Sequence, residues 1–149
     1  MTSETAAIEQ TLWTYLDGLH EGDADKIAQA FHPVSHLYSE ANGEVVDVPR
    51  EKWLDMVRSR PSAKSQGLAR HDRIVTIDQS GPVSAFAKVE CALPPRFFVD
   101  YLTLLKTRDG WRIRQGLQNR DAIRSLFEAH IEVCARKAKV REVRAPSYW

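Results

Sequence analysis

Tyr15, Asp100 and His71 are the side chains whose neighbours best suit them to hold an oxyanion or move a proton. Tyr15 shares one helical face with Ile8, Leu12, Leu16 and Leu19. A phenol on a buried stripe needs a hydrogen-bond partner, and it can donate to a developing enolate. The plainer reading is a core tyrosine bonded to backbone. Asp100 alternates with Leu102 and Leu104, while Tyr101 alternates with Thr103 and Leu105. One set faces the interior, and the alternation is equally regular for both. Facing inward among Leu and Phe, Asp100 would have a raised pKa and suit general acid–base work. Facing outward, it would pair with Arg or Lys on the sheet surface. His71 precedes Asp72, which could orient it; a solvated histidine at a strand end is the competing reading.

Other chemistry finds little support. His32 and His36 have the spacing of a helical metal pair, but Pro33 breaks any helix through them. There is no HExxH pair, P-loop, nucleophile elbow or dinucleotide fingerprint. No metal and no organic cofactor is therefore expected. Cys91 and Cys134 have no CxxC spacing and read as two reduced thiols.

The elements that must position these groups follow from periodicity. Thr5 to Leu19 reads as a helix, with Gly22 beyond it as a stop. Asp23 suits the N-cap of a second helix that ends at Pro33. Val34 to Glu40 and Glu44 to Val48 form a short hairpin across Asn42-Gly43. Pro49 opens a third helix carrying Trp53, Leu54, Met56 and Val57. The polar stretch 58–67 reads as a loop. Long strands are expected over 68–79, 83–93, 96–106 and 111–119, the last pair joined at Asp109-Gly110. Asp121 caps a final helix, and a basic tail follows. Helices segregated from an antiparallel sheet mean α+β.

At 149 residues and net charge +1, the chain fits one domain with no bias toward nucleic acid or an anionic membrane. No apolar run has the length of a membrane span. The start, Met1-Thr-Ser-Glu-Thr-Ala-Ala, lacks the basic and apolar regions of a signal peptide, so the cytoplasm is expected.

The order of elements resembles the nuclear transport factor 2-like superfamily, which holds ketosteroid isomerase, scytalone dehydratase and the SnoaL-like polyketide cyclases. The local matches are Tyr15-Leu-Asp-Gly-Leu-His-Glu-Gly-Asp23, Ala30-Phe31-His32-Pro33, Arg50-Glu-Lys-Trp-Leu54, and Asp100-Tyr-Leu-Thr-Leu-Leu-Lys106 leading to Gly110-Trp-Arg-Ile113. The last two resemble most closely the subgroup called putative lumazine-binding proteins. The resemblance covers roughly Ile8 to Asn119 and implies a cone-shaped half-barrel over 1–120. The helix and basic tail of 121–149 go beyond it and are expected to pack on the same domain, because an apolar stripe of that width does not stay exposed. The resemblance also implies a pocket for a small, largely apolar molecule, and a homodimer paired through the outer sheet face near Phe86 and Phe97 to Leu105.

On that resemblance, Tyr15 stands where ketosteroid isomerase has its oxyanion-binding tyrosine. Ser39 stands at the position of the isomerase base, beside Glu40, and Thr103 at that of its protonated acid. Glu40 could replace the base only through a one-residue slip, which turns every side chain of the strand over. The resemblance thus argues against a working ketosteroid isomerase. The implied pocket assigns ligand contacts to Trp13, Phe31, Trp53, Tyr101, Thr103, Gln115 and Asn119. Two functions follow. One is a cofactor-independent isomerase, dehydratase or cyclase, with Tyr15 as oxyanion donor and Asp100, His71 or Glu40 as proton shuttle. The other is a non-catalytic binding protein or dimeric scaffold.

Overall fold

A computed structural model describes residues 4–120. Helices α1 (Glu4–Glu21), α2 (Ala24–Ala30) and α3 (Arg50–Arg58) are joined to strands β1 (Phe31–Ala41), β2 (Glu44–Pro49), β3 (Arg73–Ser80), β4 (Ser84–Leu93), β5 (Arg96–Thr107) and β6 (Gly110–Arg120). The strands form one curved, unclosed sheet in the order β2-β1-β6-β5-β4-β3. β1 and β6 run parallel; the other neighbours are antiparallel. The expected α+β architecture is therefore present. The expected final helix lies outside the described residues.

α1 buries Ile8, Leu12, Tyr15, Leu16 and Leu19 against the sheet. Gly22 ends it with φ +68°, a left-handed conformation that favours glycine, and the Asp23 N–H returns to the Gly18 carbonyl at 2.9 Å. The Asp23 carboxylate then caps α2, accepting from the Asp25 and Lys26 N–H groups at 3.0 and 3.2 Å.

Some boundaries differ from expectation. β1 begins at Phe31 and runs through Pro33. The register of β1 against β6 shifts between Phe31 and His36, and a proline without an N–H is tolerated at such an irregularity. Pro49 caps α3 rather than filling its first turn. β3 starts at Arg73, so His71 and Asp72 precede the strand. Here Arg70 binds both Asp72 (2.7 Å) and Asp17 of α1 (2.8 Å), an ion-pair bridge that the alternation of side chains does not announce.

The closed end of the sheet is pinned by polar contacts. Trp111 donates through Nε1 to Glu4 at 2.7 Å, Lys106 reaches the same carboxylate at 2.8 Å, and the Thr11 hydroxyl donates to the Trp111 carbonyl at 3.0 Å. At the other end, residues of β1, β2 and α3 together with Leu93 and Arg96 border a cavity.

Candidate functional site

β5 decides which of its faces looks inward. Phe98, Asp100, Leu102 and Leu104 point into the core, while Tyr101, Thr103 and Leu105 project from the outer face. Asp100 and Tyr15 are both fully buried. The Tyr15 hydroxyl donates to Asp100 Oδ2 at 2.6 Å, and the Cys91 thiol of β4 lies 3.8 Å from the same oxygen. Asp100 Oδ1 has no partner among the described residues.

Phe31 and Trp53 box the phenol edge-on, with ring centroids 5.1 and 5.9 Å from its own. Such surroundings penalise charge. Burial pushes the Asp100 carboxyl up to about 7, against smaller opposing effects of the Tyr15 and Cys91 hydrogen bonds. Burial, and then the Asp100 charge, raise the Tyr15 phenol well above its usual range; the Gln118 amide acts weakly in the opposite sense. Burial likewise raises the Cys91 thiol, which makes it a poor nucleophile. Of the three groups, Asp100 is the one whose pKa lies near neutrality.

A cavity of about 270 Å³ opens beside this cluster. Its apolar wall includes Leu19, Leu37, Val46, Val48, Trp53, Met56 and Phe98, and its polar groups are Ser39, Glu40, Arg60, Arg96 and Gln118. Gln118 is the link. It pairs with Asp100 across β5 and β6, it bears on the Tyr15 phenol, and it lines the cavity. Tyr15 and Asp100 themselves lie behind that wall.

Of the residues singled out from sequence, Tyr15 and Asp100 meet, and Trp53 and Glu40 line the cavity. Glu40 is exposed at the rim, where its Oε1 accepts from the Gly43 N–H at 2.6 Å. Phe31 supports Tyr15 from the core and does not line the cavity. The remaining assignments are corrected by side-chain direction. Trp13 is exposed on the outer side of α1. Thr103 and Gln115 are exposed on the outer sheet face, and Tyr101 stacks there on Phe86 at 5.9 Å. Asn119 alternates with Gln118 and donates to the Val99 carbonyl at 3.2 Å instead. His71 lies against Phe97, with ring centroids 5.9 Å apart, and Asp72 binds Arg70 rather than orienting it.

The inward-facing carboxyl of β5 is thus Asp100, and Thr103 lies on the opposite face. Arg60 and Arg96 escaped sequence reasoning altogether. Arg60 falls in a stretch read as loop, and Arg96 directly follows two prolines.

Comparison with known proteins agrees with the architecture. An aldolase, FrzH of Cladobotryum sp, is 22% identical over 114 residues, covering 75% of this chain and 87% of its own. An NTF-2 like protein of unknown function from Silicibacter pomeroyi superposes with a TM-score of 0.70 at 22% identity, covering 80% of this chain and 99% of its own. A ketosteroid isomerase-like protein from Erwinia carotovora atroseptica gives 0.62 at 14%, covering 82% and 99%. These likenesses establish the nuclear transport factor 2-like fold. The sequence profile described as putative lumazine-binding matches residues 3–116, most of the chain, so this protein belongs to the putative lumazine-binding family of that superfamily.

Proposed function

We propose that the protein binds a small, largely apolar molecule in the cavity between α3, β1, β2 and β6 and carries out acid–base chemistry on it without an organic cofactor. The observation that carries this reading is the Tyr15–Asp100 hydrogen bond, 2.6 Å long, directly behind Gln118. A carboxyl with a pKa of about 7 takes up or gives up a proton at little cost near neutral pH. The phenol has one proton, which Asp100 Oδ2 accepts. Once Asp100 is protonated it can donate to the phenol oxygen instead, and the freed O–H then serves as donor for a carbonyl oxygen that gains charge. Proton transfer next to a carbonyl is the shared step of isomerisation, dehydration and aldol chemistry. The names of two relatives, an aldolase and a ketosteroid isomerase-like protein, fall in that range. To reach Tyr15, a substrate carbonyl takes the place of the Gln118 amide.

The test is hydrogen exchange at carbon. A panel of cyclic ketones and enones is incubated with the protein in D2O, and loss of α-proton signals is followed by NMR. Exchange faster than in buffer is expected with the wild type, and its loss in Tyr15→Phe and Asp100→Asn. A second reading, binding without chemistry, is favoured by the complete burial of both residues behind the cavity wall. It prevails if panel members bind and none exchanges.

A further inference from the structure

Arg60, just beyond α3, and Arg96, at the start of β5, both face the cavity. The same two side chains border a smaller hollow of about 160 Å³ beside Pro61 and Pro95, so they stand at the boundary between two spaces. Among the described residues neither guanidinium has an acidic partner. Arg50, Arg58 and Arg70 do; Arg73, Arg108, Arg112 and Arg114 also have none, but they do not line this cavity. Among the described residues the single carboxylate on the cavity wall is Glu40, and it is engaged by the Gly43 N–H.

Arg60 is half-buried and Arg96 is exposed at the rim, and two like charges near one another are unfavourable alone. Burial, and then the Arg96 charge, hold the Arg60 guanidinium below its usual range. An anion seated between them reverses both effects, and the planar fork of arginine matches a carboxylate or similar oxyanion. Arg60, Arg96 and Gln118 line one cavity of about 270 Å³, so a single small molecule can meet the arginines and the amide together.

We infer that Arg60 and Arg96 form an anion subsite of the cavity, and that the ligand is an apolar acid. Its body packs against Trp53, Phe98 and Met56, and its negatively charged head sits between the two guanidinium groups. This rests on the reading of the cavity as a small-molecule site.

Two fluorescent probes with the same aromatic body separate the questions. One, 1-anilinonaphthalene-8-sulfonate, carries an anionic head; the other, N-phenyl-1-naphthylamine, lacks it. Titration of both into the full chain is expected to show the sulfonate binding roughly tenfold tighter, the scale of a charge-assisted contact. Arg60→Gln and Arg96→Gln each lower sulfonate affinity by roughly tenfold and leave the neutral probe unchanged. Ser39→Phe, which narrows the cavity, weakens both probes. Equal affinities, or sulfonate binding indifferent to both arginine substitutions, overturn the anion subsite while the cavity stands. Failure of both probes to bind, or binding indifferent to Ser39→Phe, overturns the cavity reading and the subsite with it.

Discussion

The Tyr15 phenol and the Asp100 carboxylate share a hydrogen bond of 2.6 Å that ties α1 to β5 inside the sheet. Both residues are fully buried, and Asp100 keeps one oxygen without a partner among the described residues. A structural tie usually satisfies both ends. This one leaves an acceptor open beside the residue that lines the cavity, Gln118.

Tyr15→Phe is expected to remove the donor and leave the Asp100 carboxyl more poorly solvated. Losing a buried partner costs about 1–3 kcal/mol, which urea denaturation measures. The Tyr15 bond lowers the Asp100 pKa, so the variant titrates above the wild-type value of about 7. Carbon-13 NMR of the labelled carboxyl checks this, and a fall in that pKa would remove Tyr15 from the role assigned here.

Stability should depend on pH through the same carboxyl. Asp100 has its folded pKa raised to about 7 from an ordinary 3.8, chiefly by burial. The native state therefore binds more protons than the unfolded chain between those values. The contribution is fully present below the unfolded pKa and is lost as pH rises through the folded one, at up to about 1.4 kcal/mol per pH unit. Asp100→Asn should flatten this slope, because the amide stays neutral throughout while its oxygen still accepts from Tyr15. Parallel unfolding curves of the two proteins from pH 4 to about 8 would refute the assignment.

Much of this arrangement was legible in the residues. The helical stripe placed Tyr15 inside, and the alternation of β5 reduced Asp100 to two orientations. What remained hidden depends on tertiary packing. Inward and outward sets in β5 carry similar residues, so Leu102 and Leu105 gave no preference to either face; only the docking of α1 chooses. Thr103, matched by position to a catalytic acid, lies on the opposite face from Asp100, an example of how odd and even positions in a strand diverge. The Arg60 and Arg96 cluster joins residues 36 positions apart (96 − 60) from a loop and a strand end, where no periodicity operates.

Arg50 offers a test of how α3 is held against the mouth of the cavity. Its Nη1 donates to the carbonyls of Ala28 at 3.1 Å and Phe31 at 3.0 Å, closing the corner where α2 becomes β1. Arg50→Ala strips two carbonyls of a charged donor, and a loss of about 1–3 kcal/mol is expected. Arg50→Lys keeps the charge but cannot bind both carbonyls and, through separate nitrogens, Glu51 Oε1 as Nε and Nη2 do, so it should recover only part. Full stability of the alanine variant in denaturant would show that water replaces the guanidinium without cost.

The outer sheet face bears on assembly. Tyr101, Leu105 and Leu117 are 37%, 41% and 43% exposed there, with Phe86 stacked on Tyr101 and Lys88 placed over its ring at 5.7 Å. Apolar side chains gathered on one sheet face suit a partner surface, in line with the homodimer that the family resemblance implies. Leu105→Glu adds a charge to that face without touching the core. It is expected to convert a dimer into a monomer in light scattering while leaving the far-UV spectrum unchanged. A wild type that is already monomeric at micromolar concentration would end this reading.

Gly116 connects packing to ligand affinity. A Cβ at this position would lie 2.7 Å from Leu37 Cδ2 and 3.3 Å from Leu102 Cδ2. Leu102 is fully buried and has little room to yield, whereas Leu37 lines the cavity and can turn into it. Gly116→Ala should therefore push Leu37 into the space a ligand occupies. The overpacking cost is about 1–3 kcal/mol, and binding of a cavity-filling probe should weaken further, by competition with the displaced side chain. Gly116→Ala combined with Leu37→Ala removes the obstruction, so probe affinity should recover more completely than stability does. If the double variant binds no better than Gly116→Ala alone, the close approach of Gly116 to Leu37 does not shape the cavity.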